Sequence, residues 1–294
     1  MIPVPPVRSL WKNRWRYGSP FRVSRVYGLR LANFQSYLER RKGAQEKINA
    51  LPPEQKQRWQ VLEKEGFAPA NADVDSGLLT QLCASLRERA KNVSYSTEAG
   101  KGKNFWKQLE TEADRESNSL LVKMAMQPAV LNMASAYLGE VPYLAAVEIY
   151  LSHGTENTGW QESQLWHCDY DDRKMIKLFI YCTDVNDEKD GEFTYIPKDL
   201  SKNVKNNFFP KRITDESMFE QVEKSKVQRV SGKAETAFYI DTRSCYHLGS
   251  RLATGHTRLA FSALYVTNTS LWPFENGIKI VDSLSKTERL VLQH

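Results

Sequence analysis

The chain has 294 residues, of which 41% are hydrophobic and 11% aromatic, and its formal net charge is +6. This apolar content is enough for a sizeable core, so it excludes a disordered or fibrous protein. The length leaves open whether that core belongs to one large domain or to two small ones.

The cysteines and the apolar segments bear on the compartment. No C-x-x-C pair occurs, so a disulfide scaffold and a structural zinc site are not expected. The N-terminal residues lack the apolar core of a secretory signal, and no window approaches the roughly 18 apolar residues of a membrane span. We therefore expect a cytoplasmic protein with reduced thiols. The four cysteines are Cys83, Cys168, Cys182 and Cys245.

The positive charge is concentrated at the N-terminus. Residues 1–38 hold seven cations and no acid, so the rest of the chain sums to about −1 (+6 minus 7). The simplest interpretation is a basic arm folded over the domain. Contact with an anionic ligand or with the inner face of the membrane comes next, and nucleic acid last, because aromatic residues interleaved with cations suit a lipid headgroup layer. The cations are Arg8, Lys12, Arg14, Arg16, Arg22, Arg25 and Arg30, and the aromatics are Trp11, Trp15, Tyr17, Phe21, Tyr27, Phe34 and Tyr37.

Helical patterns fill the first half of the chain, over about 29–138. The arm ends in a predicted helix near 29–49, and Pro53 suits the first turn of the next helix. After a short strand or loop at 66–69, Asp75 or Ser76 can cap a helix with leucines at helical spacing. The polar segment 94–104 predicts a loop. Two short helices then follow, split at Pro128 and ended by Gly139.

The second half of the chain has the residue pattern of β-strands. Six β-branched and aromatic runs, separated by Gly, Asp, Asn and Pro, predict an antiparallel double sheet or barrel. Residues 203–225 form a long insertion between strands, which we interpret as a lid or substrate loop. The runs are YLAAVEIYLS, KMIKLFIYCTDV, GEFTYI, KVQRV, ETAFYID and TRLAFSALYV.

A possible metal site lies in QLWHCDYDD at 164–172. His167 and Asp169 are two residues apart, so on an extended segment both side chains face the same way. His247 follows a predicted strand and can lie opposite them in an antiparallel sheet. Two imidazoles and one carboxylate leave three octahedral positions open, which is the arrangement of oxygen-activating iron(II) sites. An H-x-D pair is a weak signal by itself, and His153 or His256 could take the place of His247.

Arg258 lies 11 residues beyond His247, near the start of the last strand. Arg258, Ala260 and Ser262 share one face of that strand, so the guanidinium can point into the barrel. A buried arginine needs an anionic partner, and the distal carboxylate of 2-oxoglutarate fits a planar guanidinium. An outward, solvated arginine, or one paired with a protein acid, is the alternative.

Four segments taken in order resemble the phytanoyl-CoA dioxygenase family. They are WHCD, FIYCTDVNDEKDGEFTYIPKDLS, FYIDTRSCYHLGS and HTRLAFSALYV, and the earlier EKEGFAPAN and PAVLNMASAYLGEVPYL are similar to its helical part. The resemblance covers roughly 62–268. It implies an α+β fold with a mainly β core, a double-stranded β-helix (jelly-roll, cupin-like), behind an N-terminal helical part.

The charge pattern and the order of a helical and a β-rich half without a clear linker also predict how the chain is divided. An arm and helix would occupy 1–50, and a single oxygenase domain would occupy 51–294. Within that domain we expect a helical part at 51–140, the jelly-roll core at 141–270 and a C-terminal extension at 271–294.

The same resemblance implies the site. His167, Asp169 and His247 would be catalytic iron(II) ligands, and Arg258 would hold 2-oxoglutarate, with O2 as the second substrate. The family often has a hydroxyl residue two positions after the distal histidine; here that position is Gly249, and the neighbouring Ser250 can serve. Tyr150, Ser152 and Gln164 are further pocket candidates, for which a structural role is the simpler interpretation.

Two other departures concern the surroundings of the site. IPKDLS replaces the commoner I-P-G-S-H, which affects loop shape, and Phe179 or Tyr181 stands where the family has a strand tryptophan. Related halogenases replace the metal carboxylate with a small residue, so Asp169 favours hydroxylation.

We expect a 2-oxoglutarate-dependent dioxygenase that hydroxylates an aliphatic carbon of an anionic small molecule or a membrane-presented glycolipid. A family member that hydroxylates the Kdo sugar of lipopolysaccharide would suit the basic arm. The alternatives are a soluble metabolite hydroxylase of the same class, a non-catalytic jelly-roll binding module, and a zinc hydrolase that uses the same three ligands.

Overall fold

The computed structural model of this chain describes residues 20–95, 105–156, 159–206, 211–270 and 275–293. Its β-structure follows the runs expected from the sequence and adds two short strands, β2 and β8. The strands are β1 Phe67–Pro69, β2 Trp106–Gln108, β3 Tyr143–His153, β4 Met175–Tyr181, β5 Phe193–Tyr195, β6 Gln228–Val230, β7 Ala237–Ile240, β8 His247–Leu248 and β9 Thr257–Val266.

The strands form two antiparallel sheets. The large sheet has the order β1-β7-β4-β9-β3-β2, and the small sheet has the order β6-β5-β8. Isolated bridges extend the small sheet, because His167 pairs with His247 and Trp166 pairs with Ile213. The predicted antiparallel double sheet with a helical N-terminal part is therefore confirmed.

Helices cover one face of the large sheet. Apolar side chains that alternate along β4 and β9, such as Leu178 and Phe261, pack against helical residues such as Leu82 and Tyr137 in one core. The helices are α1 Pro20–Ala32, α2 Phe34–Asn49, α3 Pro53–Glu65, α4 Ser76–Ala90, α5 Leu120–Ala125, α6 Pro128–Leu138, α7 Lys198–Ser201, α8 Asp215–Phe219 and α9 Lys286–Leu292. Short 3-10 turns occur at Asn71–Asp73, Ala113–Arg115, Glu162–Gln164, Glu188–Asp190 and Lys224–Lys226.

The opposite face of the large sheet looks toward the small sheet. Phe179, Tyr181 and Phe238 on this face pack with Phe193 and Tyr195 of β5. Because side chains alternate along a strand, Lys177 of β4 and Arg258 of β9 lie on this same inner face. The space between the sheets therefore receives both aromatic and charged groups.

Local signals explain the helix boundaries. Pro53 and Pro128 open α3 and α6, the Asp75 side chain accepts from the Leu78 amide at the start of α4, and Gly139 ends α6 in the left-handed region. The single helix predicted near 29–49 is instead two helices, α1 and α2. Asn33 interrupts them, and asparagine disfavours helix interiors because its side chain competes for backbone hydrogen bonds.

The described part of the basic arm packs on the domain. Val26 and Arg30 are buried, and Arg30 Nε donates to Thr269 Oγ1 at 2.9 Å. The Arg30 guanidinium also lies 3.7 Å from a Glu140 carboxylate oxygen. Within the described segments, no helix has the length and apolar character needed to cross a bilayer. Residues 1–19 of the arm and 96–104 of the predicted loop lie outside the described residues.

The predicted division into an arm and one oxygenase domain stays a prediction. The shared core favours it, since Leu62, Leu144, Phe261 and Leu292 from the helical part, the sheets and the C-terminal extension belong to one cluster of buried side chains.

Gly66 connects α3 to the turn at Asp241, which precedes His247. Its amide donates to Leu62 O at 2.8 Å, and its carbonyl accepts from the Asp241 amide at 2.8 Å. Its φ is +79°, and an added Cβ would lie 2.3 Å from Cys245 Sγ. Alanine therefore meets both the left-handed backbone cost and a steric clash.

We expect Gly66→Ala to lower the free energy of unfolding by about 2–4 kcal/mol, from backbone conformation plus overpacking. Gly139→Ala is the matched control, because Gly139 has a φ of +74° with no atom within 4 Å of the added Cβ. Its loss should be about 1 kcal/mol in urea denaturation. Equal losses in the two variants would contradict the predicted clash.

Candidate metal centre

His167 and His247 face each other across a backbone bridge. The His167 amide donates to His247 O at 3.0 Å, and the His247 amide donates to His167 O at 2.9 Å. Residues that exchange both hydrogen bonds lie directly opposite, so their side chains leave the sheet on the same side. The two imidazole centroids are accordingly 4.3 Å apart.

Asp169 completes a group of three possible metal ligands. It follows His167 by two residues, and its amide donates to Thr242 O at 2.9 Å, which fixes the segment. One donor atom from each of His167, Asp169 and His247 lies within 4.8 Å of the others. His167 Nε2 and Asp169 Oδ1 are 3.9 Å apart. The side chains of His167 and Asp169, which the sequence placed two residues apart, therefore meet the distant imidazole of His247 at one point.

Hydrogen bonds orient both imidazoles. His167 Nδ1 lies 2.8 Å from Leu165 O, and His247 Nδ1 lies 3.1 Å from Cys245 O. A carbonyl oxygen only accepts, so each Nδ1 carries the proton and each Nε2 keeps its lone pair. Histidines that bind metals commonly make such a bond with the other ring nitrogen.

Burial sets the charge states of the three groups. Burial, and the neighbouring His167, lower the pKa of His247 to about 3, and burial also lowers the pKa of His167. Burial opposes ionisation of Asp169, but the Lys177 ammonium and the two imidazoles still hold its pKa well below the usual range. At neutral pH the site thus offers two neutral imidazoles and one carboxylate, which suits a divalent transition metal.

Lys177 is a residue of the site that the sequence reasoning missed. Its Nζ donates to Asp169 Oδ2 at 2.8 Å, and its side chain is 15% exposed. Burial lowers the pKa of an ammonium, but attraction by Asp169 and Glu148 raises the pKa of Lys177 above its ordinary value. A lysine inside the apolar run MIKLFIY was the signal that could have found it.

The turn after β7 links the site to the helices. Asp241 Oδ1 accepts from the amides of Arg243 and Ser244 at 3.0 Å each, and Oδ2 accepts from the Tyr137 hydroxyl of α6. This turn presents Thr242 O to Asp169 and leads into β8, which begins at His247. Asp241 is fully buried.

Arg258 is buried on the inner face, with 5% of its surface exposed. Its guanidinium donates to Gly191 O and, at 3.2 Å, to Ser250 Oγ. Within the described residues no acid lies in ion-pair range of Arg258, and its Nε has no hydrogen-bond partner. The inward orientation, rather than the solvated or acid-paired one, is what the structure has.

The structure brings Ser250 and Gln164 to the same end of the site. Ser250 Oγ lies 2.9 Å from Ser152 Oγ, and Gln164 Nε2 donates to Ser250 O at 2.8 Å. Ser250 has a φ of +58°. An added Cβ on Gly249 would lie 3.7 Å from the Arg258 guanidinium.

Tyr150 lies on the inner face of β3, with its hydroxyl donating to Glu148. Burial, together with the negative charges of Glu148 and Asp169, raises the pKa of Tyr150, so it stays a neutral phenol. Nearby, burial and Asp169 raise the pKa of Asp171 to about 6. The negative charges that act on Lys177 thus come from Asp169, Glu148 and Asp171.

The two alternative histidines lie away from the triad. His153 is buried and its ring stacks on Tyr95 at 4.5 Å, while His256 Nδ1 lies 2.8 Å from Asp190 Oδ1. The strand tryptophan of the resembling family has no counterpart, and Phe179 stacks on Phe238 at 5.6 Å instead. Tyr181 OH donates to Val230 O at 2.8 Å.

The described part of the insertion 203–225 is docked beside the site. Asp215 accepts from Trp166 Nε1 at 2.8 Å and pairs with the Arg251 guanidinium at 2.8 Å. Trp166 precedes a triad histidine and Arg251 follows Ser250, so one carboxylate ties the insertion to both segments. Arg212 lies 3.3 Å from Glu162 at the same edge.

No protein-family model matches the sequence, and no curated protein matches it significantly. Solved structures do resemble the fold. SnoN, a non-haem alpha-ketoglutarate-dependent epimerase from nogalamycin biosynthesis, matches with a TM-score of 0.50 and 16% identity, over 74% of this chain and 84% of SnoN. This chain shares the fold of SnoN.

Two further structures have the same fold. SnoN in complex with Fe3+, alpha-ketoglutarate and nogalamycin RO matches with a TM-score of 0.51 and 14% identity, over 74% of this chain and 85% of that one. EctD from S. alaskensis with bound Fe matches with a TM-score of 0.50 and 13% identity, over 81% of this chain and 86% of EctD.

We expect His167→Ala and His247→Ala each to weaken Ni(II) binding more than about 100-fold, because loss of a ligand exceeds the 10–100-fold effect of an outer-shell change. Titration calorimetry with Ni(II), which resists air oxidation, measures this. His256→Ala is the control and should bind like the parent chain. Undiminished binding in either triad variant would rule out the proposed ligand set.

Acid should destabilise the metal-free protein. The unfolded chain protonates its histidines near pH 6.5, whereas the pKa of folded His247 is about 3. The contribution of neutral His247 to the free energy of unfolding is thus complete above pH 6.5 and is lost as pH falls toward 3. Between pH 7 and 5 we expect a loss of about 2 kcal/mol from His247. Urea denaturation of His247→Gln should show a correspondingly flatter pH profile, and an unchanged slope would count against a buried neutral imidazole.

Proposed function

We propose that this chain is an Fe(II)- and 2-oxoglutarate-dependent dioxygenase that hydroxylates an aliphatic carbon of a small molecule. The observation that carries the proposal is the convergence of His167, Asp169 and His247, with the buried Arg258 guanidinium in the same space between the sheets. The fold shared with iron enzymes supports the same class.

The three donors suit iron(II). Two neutral imidazoles with free Nε2 lone pairs and one ionised carboxylate form the facial set of non-haem iron sites, which leaves open positions for substrates. Bound iron and 2-oxoglutarate would activate O2 and supply the oxidising power for hydroxylation. The carboxylate of Asp169 supports hydroxylation rather than halogenation, because it occupies the position that a halide would need.

Arg258 suits the distal carboxylate of 2-oxoglutarate. A buried cation without an acid partner is costly, and an anionic ligand would offset that cost through paired hydrogen bonds. Its Nε has no partner among the described residues, so donor capacity remains for a ligand. Ser250 and Ser152 offer hydroxyl groups beside the guanidinium, and Gln164 holds the Ser250 backbone in place.

The phytanoyl-CoA dioxygenase family is our proposal for the closer relationship, on the order and spacing of the motifs between 62 and 268. For the substrate we propose a small molecule, and the charge of Arg212 does not by itself select an anion, because Arg212 already pairs with Glu162 at 3.3 Å. A soluble metabolite and a glycolipid fit the site equally well. The Kdo sugar of lipopolysaccharide and membrane contact through 1–38 stay predictions, and the packed Arg30 favours an arm held on the domain.

Succinate release tests the activity. The Fe(II) protein should convert 2-oxoglutarate to succinate with O2, and a panel of hydroxy acids, sugar acids and amines should include compounds that accelerate release. Activity supported by Zn(II) in place of Fe(II), with no consumption of 2-oxoglutarate, would instead indicate a hydrolase. Iron binding with no succinate above background would indicate a binding module.

We expect Arg258→Gln to raise the KM for 2-oxoglutarate about 100-fold, since loss of a buried partner of a charged group weakens binding strongly. Ni(II) affinity should not change, because Arg258 is not a predicted ligand. Arg229→Gln is the control, since Arg229 pairs with Glu188 at the surface. An unchanged KM in Arg258→Gln would exclude this anchor.

A further inference from the structure

Lys177 occupies an unusual place for a lysine. It lies in the middle of β4, a central strand of the large sheet, and its side chain enters the space between the sheets with 15% of its surface exposed. Its Nζ lies 2.8 Å from Asp169 Oδ2. A buried ion pair is weak support for stability, because desolvation offsets the attraction. Stability alone therefore does not explain why a lysine occupies this position.

The contact with Lys177 gives the two carboxylate oxygens of Asp169 different partners. Oδ1 faces the imidazoles, 3.9 Å from His167 Nε2, while Oδ2 accepts from the ammonium. Glu148 and Asp171 add negative charge that favours the ammonium form of Lys177. The hydrogen bond to Lys177 thus occupies Oδ2, while Oδ1 is the oxygen beside the imidazole of His167.

The number of oxygens through which Asp169 binds decides how many coordination positions of the metal ion stay open. Two imidazoles and one carboxylate oxygen occupy three of the six positions of an octahedral ion. 2-Oxoglutarate needs two further positions and O2 needs one. If Asp169 bound through both oxygens, the protein would fill four positions, and the two substrates could not be accommodated together.

We propose that Lys177 is a positioning residue that restricts Asp169 to one-oxygen coordination and so keeps a third position open, an inference that rests on the proposed function. Lys177 acts through Asp169 and contacts neither substrate. A lysine placed only for stability would serve equally well wherever its charge is neutralised, whereas this one neutralises the oxygen that must stay off the metal.

Lys174 provides the matched control. It lies three residues earlier, is also half-buried, and pairs with Glu63 at 2.6 Å on the far side of the strand, over the Tyr137 ring. Lys174→Met and Lys177→Met remove the same group and lose a comparable ion pair. They differ in whether that pair includes a metal ligand.

Titration of the anaerobic Fe(II) form with 2-oxoglutarate bound, using nitric oxide as a surrogate for O2, separates the two roles. We expect Lys177→Met to keep its affinity for Ni(II) and for 2-oxoglutarate within about threefold, because two positions remain for 2-oxoglutarate when Asp169 supplies both oxygens, but to weaken nitric oxide binding at least tenfold. Lys177→Arg should restore nitric oxide binding, and Lys174→Met should bind all three like the parent chain. Parallel losses of Ni(II) and nitric oxide affinity, or unchanged nitric oxide affinity in Lys177→Met, would overturn the inference.

X-ray absorption of the Ni(II) form without 2-oxoglutarate, in a carboxylate-free buffer, reports how Asp169 coordinates the metal. The parent chain alone can refute the proposal, even if Lys177→Met does not fold. A carboxylate that chelates brings its own carbon close to the metal. The parent chain should lack this feature and Lys177→Met should show it; its presence in the parent chain would refute the assignment. If the parent Ni(II) form fails to bind 2-oxoglutarate, the proposed function falls, and the absorption result still decides whether Lys177 sets the coordination of Asp169.

Discussion

The reciprocal backbone hydrogen bonds between His167 and His247 are the interaction on which the site depends. The pair joins segments 80 residues apart in sequence and forces both side chains out of the same side of the small sheet. Neighbouring contacts anchor the His167 segment, because Gly249 donates to Ser163 O at 3.1 Å and Trp166 pairs with Ile213 of the insertion. A shift of one residue would turn either imidazole to the opposite face.

A second constraint comes from the contrast between the two faces of the large sheet. One face is apolar and packs on helices, while the other carries Lys177 and Arg258 into a confined space. Each of these cations meets a different need. Lys177 finds its counterion within the protein, in Asp169, whereas the described residues give Arg258 only neutral partners. The site is therefore asymmetric in charge: Lys177 is paired with a carboxylate beside the triad, whereas Arg258, at the other end, has no acidic partner among the described residues.

Much of this could be read from sequence, for physical reasons that differ by residue. Pro53, Pro128 and Gly139 mark helix boundaries because their backbone preferences are local. Alternation in β9 grouped Arg258 with Ala260 and Ser262, because strand geometry is regular, but it left open which face of the strand turns inward. The choice of His247 over His153 or His256 needed a motif resemblance, since no local rule fixes which distant strand pairs with which. β2 and β8 are too short to show a pattern. The contact of Lys177 with Asp169 depends on the positions of two elements at once, which one sequence does not specify.

The Asp241 turn has a consequence for how the protein is maintained. Its carboxylate joins the Tyr137 hydroxyl of α6 to the segment that supports both Asp169 and His247. Occupancy of the triad and the integrity of the helical layer are then thermodynamically linked, since an ion that binds the folded chain draws the equilibrium toward it. Scarcity of the ion in the surroundings would thus lower the amount of folded protein as well as the fraction that is loaded.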